Sequence, residues 1–468
     1  MCFRSHQLMH LSREFRKSFP QKLSAAIVDS NERAVSLSCI QKDVALINKL
    51  RARFNKSFTP DKYAKLLECL NRRCGASVDF RIAETPIFVP LNLLNQMAEA
   101  GARLTAALLG NAAYLEAARG AIPAEYRVAG ETPKPNFLTA DFALIRNSEG
   151  AFAPRLVEIQ AFPSVYAYQI ALCSAYREAF ALDLELDCFL SGLTEETYLQ
   201  LLGKTIVGKH DPRNVVLTEF EPQRQKTLPD FVATASRLGI AVVDIRSLEA
   251  IGDKLHYRDP AGRLVPIHRI YNRAIADELM ARQVRLPFDL TRGWDVEWAG
   301  HPNWYFLISK FSIPWLSRPP CADPVVPPAV FLSDFLAGPG RAELASAGVN
   351  LPSESGPETV YSELLLKPLF SFAGKGIRFD PTQEQLNTIP TSQRSEFLLQ
   401  QRMHFEPTIE TPHGPTQAEF RILYLWPDDG ELTPALTLVR LGRGKMMGVD
   451  HNRGQQWVGA SAAFFPAG

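Results

Sequence analysis

The sequence predicts an α+β fold, and three observations carry that reading. Apolar residues recur at three- and four-residue spacing over Val44–Arg73 and Leu91–Arg119, the period of helices. A strand–helix–strand pattern fills the middle of the chain, and the last hundred or so residues are rich in short strand-type runs. The predicted arrangement is a helical N-terminal layer, a small α/β unit and a C-terminal α+β region.

Composition narrows the class. The chain has 468 residues, 46% hydrophobic and 22% charged, with a formal net charge of +1. That length exceeds one ordinary core and points to a large enzyme-like domain or to two to three smaller units. A dispersed, neutral charge excludes a dedicated polyanion-binding protein, so no nucleic acid is expected as partner. No run of apolar residues is long enough to predict a membrane-spanning helix. Seven scattered cysteines form no disulfide framework; Cys69 and Cys74 lie closest, without a second pair to complete a zinc site. A cytoplasmic, reducing location is expected. Residues 1–75 carry fifteen Lys/Arg against six Asp/Glu. Residues 1–43 read as a basic, mobile tail; their acid-poor start is also loosely like an organelle transit peptide, but without a secretory signal's apolar core.

The elements follow in order. Residues 44–205 hold the helical layer, a Pro- and Gly-punctuated linker over 120–136, and strands at Leu138–Ile145 and Pro154–Gln160 joined by an Asn-Ser-Glu-Gly turn. A helix runs from Ser164 to about Phe180. Residues 206–290 form the small α/β unit: strand Asn214–Phe220, helix Gln225–Leu238, strand Ile240–Ile245, then a hairpin of Lys254–Arg258 with Arg263–Tyr271. Within 291–468, residues 317–358 read as a Pro/Gly/Ala-rich surface excursion. Strands are expected after it at Glu363–Pro368, Gly376–Phe379, Phe397–Arg402, Phe420–Trp426 and Leu436–Leu441.

Two segments carry chemistry. In Leu364–Phe379 a buried-type strand bears a single cation, Lys367, before a loop in which Gly374 and Gly376 flank Lys375. Glycines let a backbone approach an anion, and a strand-borne Lys supplies a point charge for phosphate. The loop is neither a Walker A nor a dinucleotide fingerprint, and a structural hairpin accounts for the same residues. In Arg155–Gln169, Glu158 and Gln160 share one strand face by period two, with Asp141 on the preceding strand. Such oxygens suit Mg²⁺, or an edge strand whose acidic face meets water.

Together these segments resemble the circularly permuted ATP-grasp ligases, the family of the glutathionylspermidine synthase synthetase domain. Its D-F strand, L-E-x-N strand and Pro-Ser stretch are similar to Asp141-Phe142, Val157-Glu158-Ile159-Gln160 and Pro163-Ser164. Its N-K-containing segment is similar to Ser309-Lys310 through Pro314-Trp315-Leu316, and its K-P-L-F strand to Lys367-Pro368-Leu369-Phe370. Its adenine hinge falls at Gln400-Gln401, its late arginine strand at Arg440, and its final motif at Ser461 to Pro466. The matches run in order from about 137 to 466.

The resemblance implies an ATP-grasp-like, circularly permuted fold with the small α/β unit on the substrate side. It implies an ATP-dependent carboxylate–amine ligase working through an acyl phosphate, with ATP and Mg²⁺ as cofactors and a small-molecule or peptide carboxylate and an amine as partners. Lys310 and Lys367 would meet phosphates, Gly374, Lys375 and Gly376 would close over them, and Gln400 and Gln401 would flank the adenine. Asp141, Glu158 and Gln160 would hold the metal, and Arg440, or else Arg443, would stabilise transferring charge. The chain departs from the family where Gln160 replaces Asn, Gln401 replaces Glu, and Phe372-Ala373-Gly374 replaces R-E-G. The departures at Gln160 and Gln401 favour the alternative, a non-catalytic nucleotide-binding or scaffold protein on the same fold. Glu419-Phe420-Arg421 reads equally as a substrate contact or a structural ion pair.

Overall fold

The computed structural model of the chain describes residues 46–147, 150–353, 356–371, 374–448, 452 and 454–467. The tail predicted over 1–43 lies outside them, as do Ser148 and Glu149 of the predicted turn and Phe372 and Ala373 of the glycine loop. Mixed α and β structure is observed, with the described strands in four sheets.

The largest sheet runs in the order β1 (Ile87–Phe88), β18 (Gly459–Pro466), β17 (Thr433–Gly442), β16 (Gln417–Leu425), β2 (Phe137–Arg146) and β3 (Phe152–Gln160), with β4 (Leu186–Asp187) pairing the end of β18. Its first pair is parallel and the rest antiparallel. Alternation decides what each face meets. Leu138, Ala140, Phe142 and Leu144 of β2 join Phe420 and Ile422 of β16 in the core under the helix Leu91–Leu109. Leu423 and Leu425, on the opposite face, pack with the almost wholly buried helix Tyr166–Phe180. That helix covers one end of its face only, and the other end is a floor of charged side chains.

A second sheet, in the order β11 (Glu297–Ala299), β10 (Arg269–Asn272), β5 (Val215–Glu219) and β6 (Ala241–Asp244), is parallel throughout. The helix Leu228–Leu238 crosses between β5 and β6 and ends at Gly239, whose left-handed φ of 69° closes the last turn. A meander of β7 (Glu249–Ile251), β8 (Lys254–Arg258) and β9 (Leu264–Pro266) projects from it. Here the predicted hairpin is corrected. Pairing with β8 ends at Ile267, whose N–H donates to Leu255 O, and the buried Arg269–Asn272 joins the parallel sheet between β5 and β11 instead.

The fourth sheet, β12 (Ala329–Phe331), β15 (Phe397–Gln401), β13 (Leu364–Pro368) and β14 (Arg378–Phe379), is antiparallel and roofs the charged floor. It corrects the predicted excursion over 317–358, which supplies β12 and the helices Leu332–Ala337 and Pro339–Ser346. Their Val330, Leu332, Phe335 and Leu344 pack with Leu364, Leu366 and Leu399. The prolines and glycines that read as loop here start and stop short helices, with Pro339 in the first turn after Gly338.

Both long helical patterns also break. One splits into 46–57 and Pro60–Cys74, where Thr59 caps and Pro60 opens the second helix. The other splits into Leu91–Leu109 and Ala112–Gly120 around the cap Asn111. Gly459–Pro466, whose small residues carry little strand signature, becomes the central β18.

The first helix can lie this close to the sheet because Gly101 has no side chain. A Cβ there would stand 2.2 Å from Tyr424 Oη, which donates to Ala98 O at 2.8 Å, and 3.1 Å from Ala140 Cβ. Gly101→Ala gains about 1 kcal/mol of helix propensity but overpacks a buried contact at a cost of about 1–3 kcal/mol. The expected result is a lower denaturation midpoint by circular dichroism, against the direction that propensity dictates.

Candidate functional site

The cleft between floor and roof encloses about 430 Å³. Strand register builds its floor. Asp141 of β2 lies opposite Arg421 of β16 on one side and Glu158 of β3 on the other, and Glu419 of β16 lies opposite Arg440 of β17. A bulge doubles β3 against β2 at Val157, turning Glu158 toward the cleft and freeing the Val157 carbonyl.

Ion pairs knit the floor together. Arg421 grips Asp141 with two parallel bonds, Nε to Oδ1 and Nη2 to Oδ2, both 2.6 Å, and reaches Glu158 Oε1 at 3.4 Å. Arg440 Nη2 donates to Asp141 Oδ2 and stands 2.6 Å from Glu419 Oε1. Lys310 Nζ lies 3.5 Å from Glu158 Oε2 and donates to the Ser371 carbonyl at the start of the glycine loop. From the roof, Lys367 Nζ donates to Gln400 Oε1 at 2.6 Å and lies 3.5 Å from the freed Val157 carbonyl, so it bridges the two sheets. Leu365 and Lys367 face the cavity, whereas Leu364 and Leu366 enter the roof's own core, as a period of two requires.

Burial sets the charges against one another. Burial alone would raise Glu158, but the cations Lys310, Arg421, Arg440 and Lys367 hold its carboxyl down at about 2. Burial lowers Lys367 to about 8, with Glu158 opposing the shift. Burial lifts Glu419 to about 7 against the pull of Arg440, helped by Asp141 and Glu158. Burial would lower Arg421, yet Asp141 and Glu158 keep it well above its ordinary value. Four cations (Lys310, Lys367, Arg421, Arg440) thus meet three carboxylates (Asp141, Glu158, Glu419). Farther out, Arg402, Arg443 and Lys445 add positive charge to the lining, although Arg402 and Lys445 share Asp380. The cavity is also lined by the apolar Met403, Phe405, Met446, Met447, Ile377 and Phe379, with Arg402 and Lys445 over the Phe379 ring.

The cleft gathers Glu158, Lys367, Gly374 and Arg440 into its lining, with Lys310 paired to Glu158 behind them. Several expectations are corrected. Gln401 falls on the face of β15 shared with Leu399, turned from the cleft, and its N–H donates to Pro328 O within the roof. Gln400 is buried and serves Lys367. Just past the expected hinge, Arg402, Met403, His404 and Phe405 line the cavity. Gly374 adopts φ 73° against Met446, while Lys375 and Gly376 point to solvent.

The expected metal set also changes character. Both Asp141 oxygens are held by guanidinium N–H groups, and Gln160 turns its amide nitrogen, not its oxygen, toward Glu158 Oε1. Among the described residues no three His, Cys, Asp or Glu side chains are grouped as metal ligands. Asp141, Glu158 and Gln160 therefore do not fit a divalent cation.

Glu419 and Arg421 are the floor residues that the sequence leaves undecided. Their signal is two charges at i and i+2 in an otherwise apolar strand; only pairing with β2 and β17 shows that both carry the cleft.

No family model and no curated protein matches this chain. Among solved structures it is similar to a glutathione synthetase-like effector from Globodera pallida in its apo form, at 11% identity and a TM-score of 0.47, over 87% of this chain and 99% of that one. It is also similar to a protein from Methylobacillus flagellatus KT assigned as a gamma-glutamylcysteine synthetase, at 14% identity and a TM-score of 0.33, over 77% and 85%. At these scores neither likeness decides fold or chemistry.

Asp141 is only 1% exposed. Asp141→Asn keeps its shape but leaves two largely buried guanidiniums short of their counter-charge, an expected loss of about 3–5 kcal/mol. Urea denaturation of the folded variant reads that loss as a lower midpoint; an unchanged midpoint contradicts the pairing.

Proposed function

We propose that the chain binds ATP in this cleft, in the manner of an ATP-grasp protein, and uses it to join a carboxylate to an amine. The observation that carries the proposal is the convergence of Lys367 from the roof and Arg440 from the floor on a cavity with apolar lining, with Lys310 behind Glu158. The cavity volume suits a small-molecule ligand. A flat base fits against Met403, Phe405 and Met446, since methionines mould to an aromatic face. The triphosphate then points toward the cationic end. The chain visits the carboxylate strands β2 and β3 before the cationic strands β13 and β17, an order that supports the permuted reading.

The chemistry follows from where charge develops. An oxygen of the substrate carboxylate attacks the γ-phosphorus, the bond from that phosphorus to the β,γ-bridging oxygen breaks, and ADP leaves with the electron pair. The amine nitrogen then attacks the acyl carbon, phosphate departs, and the nitrogen loses a proton. Arg440, fixed by Asp141 and Glu419, offers preorganised positive charge to the transferring phosphoryl group, and Lys367 and Lys310 neutralise the phosphates. The small α/β unit is assigned to the acid and amine.

The guanidiniums on Asp141 favour a second reading, nucleotide binding without turnover. Hydroxylamine separates the two. In the presence of ATP and a pool of carboxylic acids it should divert an acyl phosphate to a hydroxamate, with ADP in equal amount. Nucleotide binding with neither product across the pool supports the second reading; ADP formed without hydroxamate on a true acid–amine pair rules out the acyl phosphate.

A further inference from the structure

We infer that Arg421 stands in the place of a divalent cation in this cleft, so that nucleotide phosphates are bound without metal. The inference rests on the nucleotide reading and concerns binding, not turnover.

Two carboxylates on adjacent strands, Asp141 and Glu158, face one another across the β2–β3 pair. Such a pair needs a cation between its oxygens. That cation is already built into the chain. Arg421 sits directly opposite Asp141 in the β16–β2 register, so backbone pairing fixes its position. Its planar fork takes both Asp141 oxygens at 2.6 Å and extends to Glu158 at 3.4 Å. The bidentate geometry is one that guanidinium satisfies and a point charge does not.

A divalent ion would reach Asp141 only by displacing guanidinium groups. Mg²⁺ requires a near-octahedral shell of oxygens. Glu158 Oε1 accepts from Gln160 and Arg421, its Oε2 faces Lys310, and Glu419 Oε1 faces Arg440. To reach Asp141 the ion would have to expel a guanidinium that is 15% exposed into a cluster already richer in cations than in carboxylates. The cleft also has surplus positive charge facing the cavity, which complements the uncomplexed nucleotide, because metal chelation would cancel two of the ligand's charges.

Calorimetry of the full chain with ADP, in EDTA and in excess Mg²⁺, tests this. ADP should bind in EDTA, and Mg²⁺ should leave Kd within about threefold or weaken it. Binding that needs Mg²⁺, or gains about tenfold or more from it, overturns the inference while leaving the nucleotide reading intact. Absence of binding in both buffers overturns the two together. In Arg421→Met, affinity in EDTA should fall, and Mg²⁺ should restore it by about tenfold, since Asp141 Oδ1 loses its guanidinium partner and Glu158 loses one of its cations. A folded variant that stays indifferent to Mg²⁺ overturns the role of Arg421. The wild-type comparison decides the metal question by itself if that variant does not fold.

Discussion

The grip of Arg421 and Arg440 on the buried Asp141 carboxylate is the interaction on which the cleft depends. A charge taken out of water is costly unless it is paired and hydrogen-bonded. Asp141 meets that requirement because strand register sets Arg421 directly beside it and brings Arg440 within reach from β17. The same two arginines then place Glu158 and Glu419, so four strands of one sheet share a single charge network. Loss of any member leaves the others uncompensated.

The roof is coupled to that network through two lysines. Lys367 spans from β13 to the bulge at Val157, and Lys310 ties Glu158 to the Ser371 carbonyl at the start of the glycine loop. Met403, Phe405, Met446 and Met447 line the same cavity.

Much of this was legible in the sequence, and the limits have physical causes. Lys367 stands out as a single cation in an apolar strand, and Glu158 as a carboxylate in another; burial of such groups has few inexpensive solutions. Strands β5 and β6 were legible as continuous apolar runs, and the helix between them by its period and terminal Gly239. Partner strands were not legible. Nothing local to Arg421 says that it faces Asp141, because pairing across hundreds of residues is a property of the sheet. Face was lost for a similar reason: Gln400 and Gln401 read as one hinge, yet a single residue of register sends one to Lys367 and the other to the opposite side of β15. Proline and glycine misled over 317–358, where they delimit short elements instead of forming a loop.

On the proposed reading, Lys367 is the desolvated cation that meets phosphate. Burial brings its ammonium group down to about 8, so it is charged below that pH and loses its proton above it. A bound phosphate favours the charged form, so binding above pH 8 must first restore the proton. The most direct measurement is the affinity for a non-hydrolysable ATP analogue from neutral to alkaline pH, in wild type and in Lys367→Arg. The expected result is a decline above about pH 8 of up to tenfold per pH unit that the arginine variant lacks, while any change near pH 7 from ionisation of Glu419 is common to both proteins. A flat wild-type profile, or the same decline in both proteins, would contradict it.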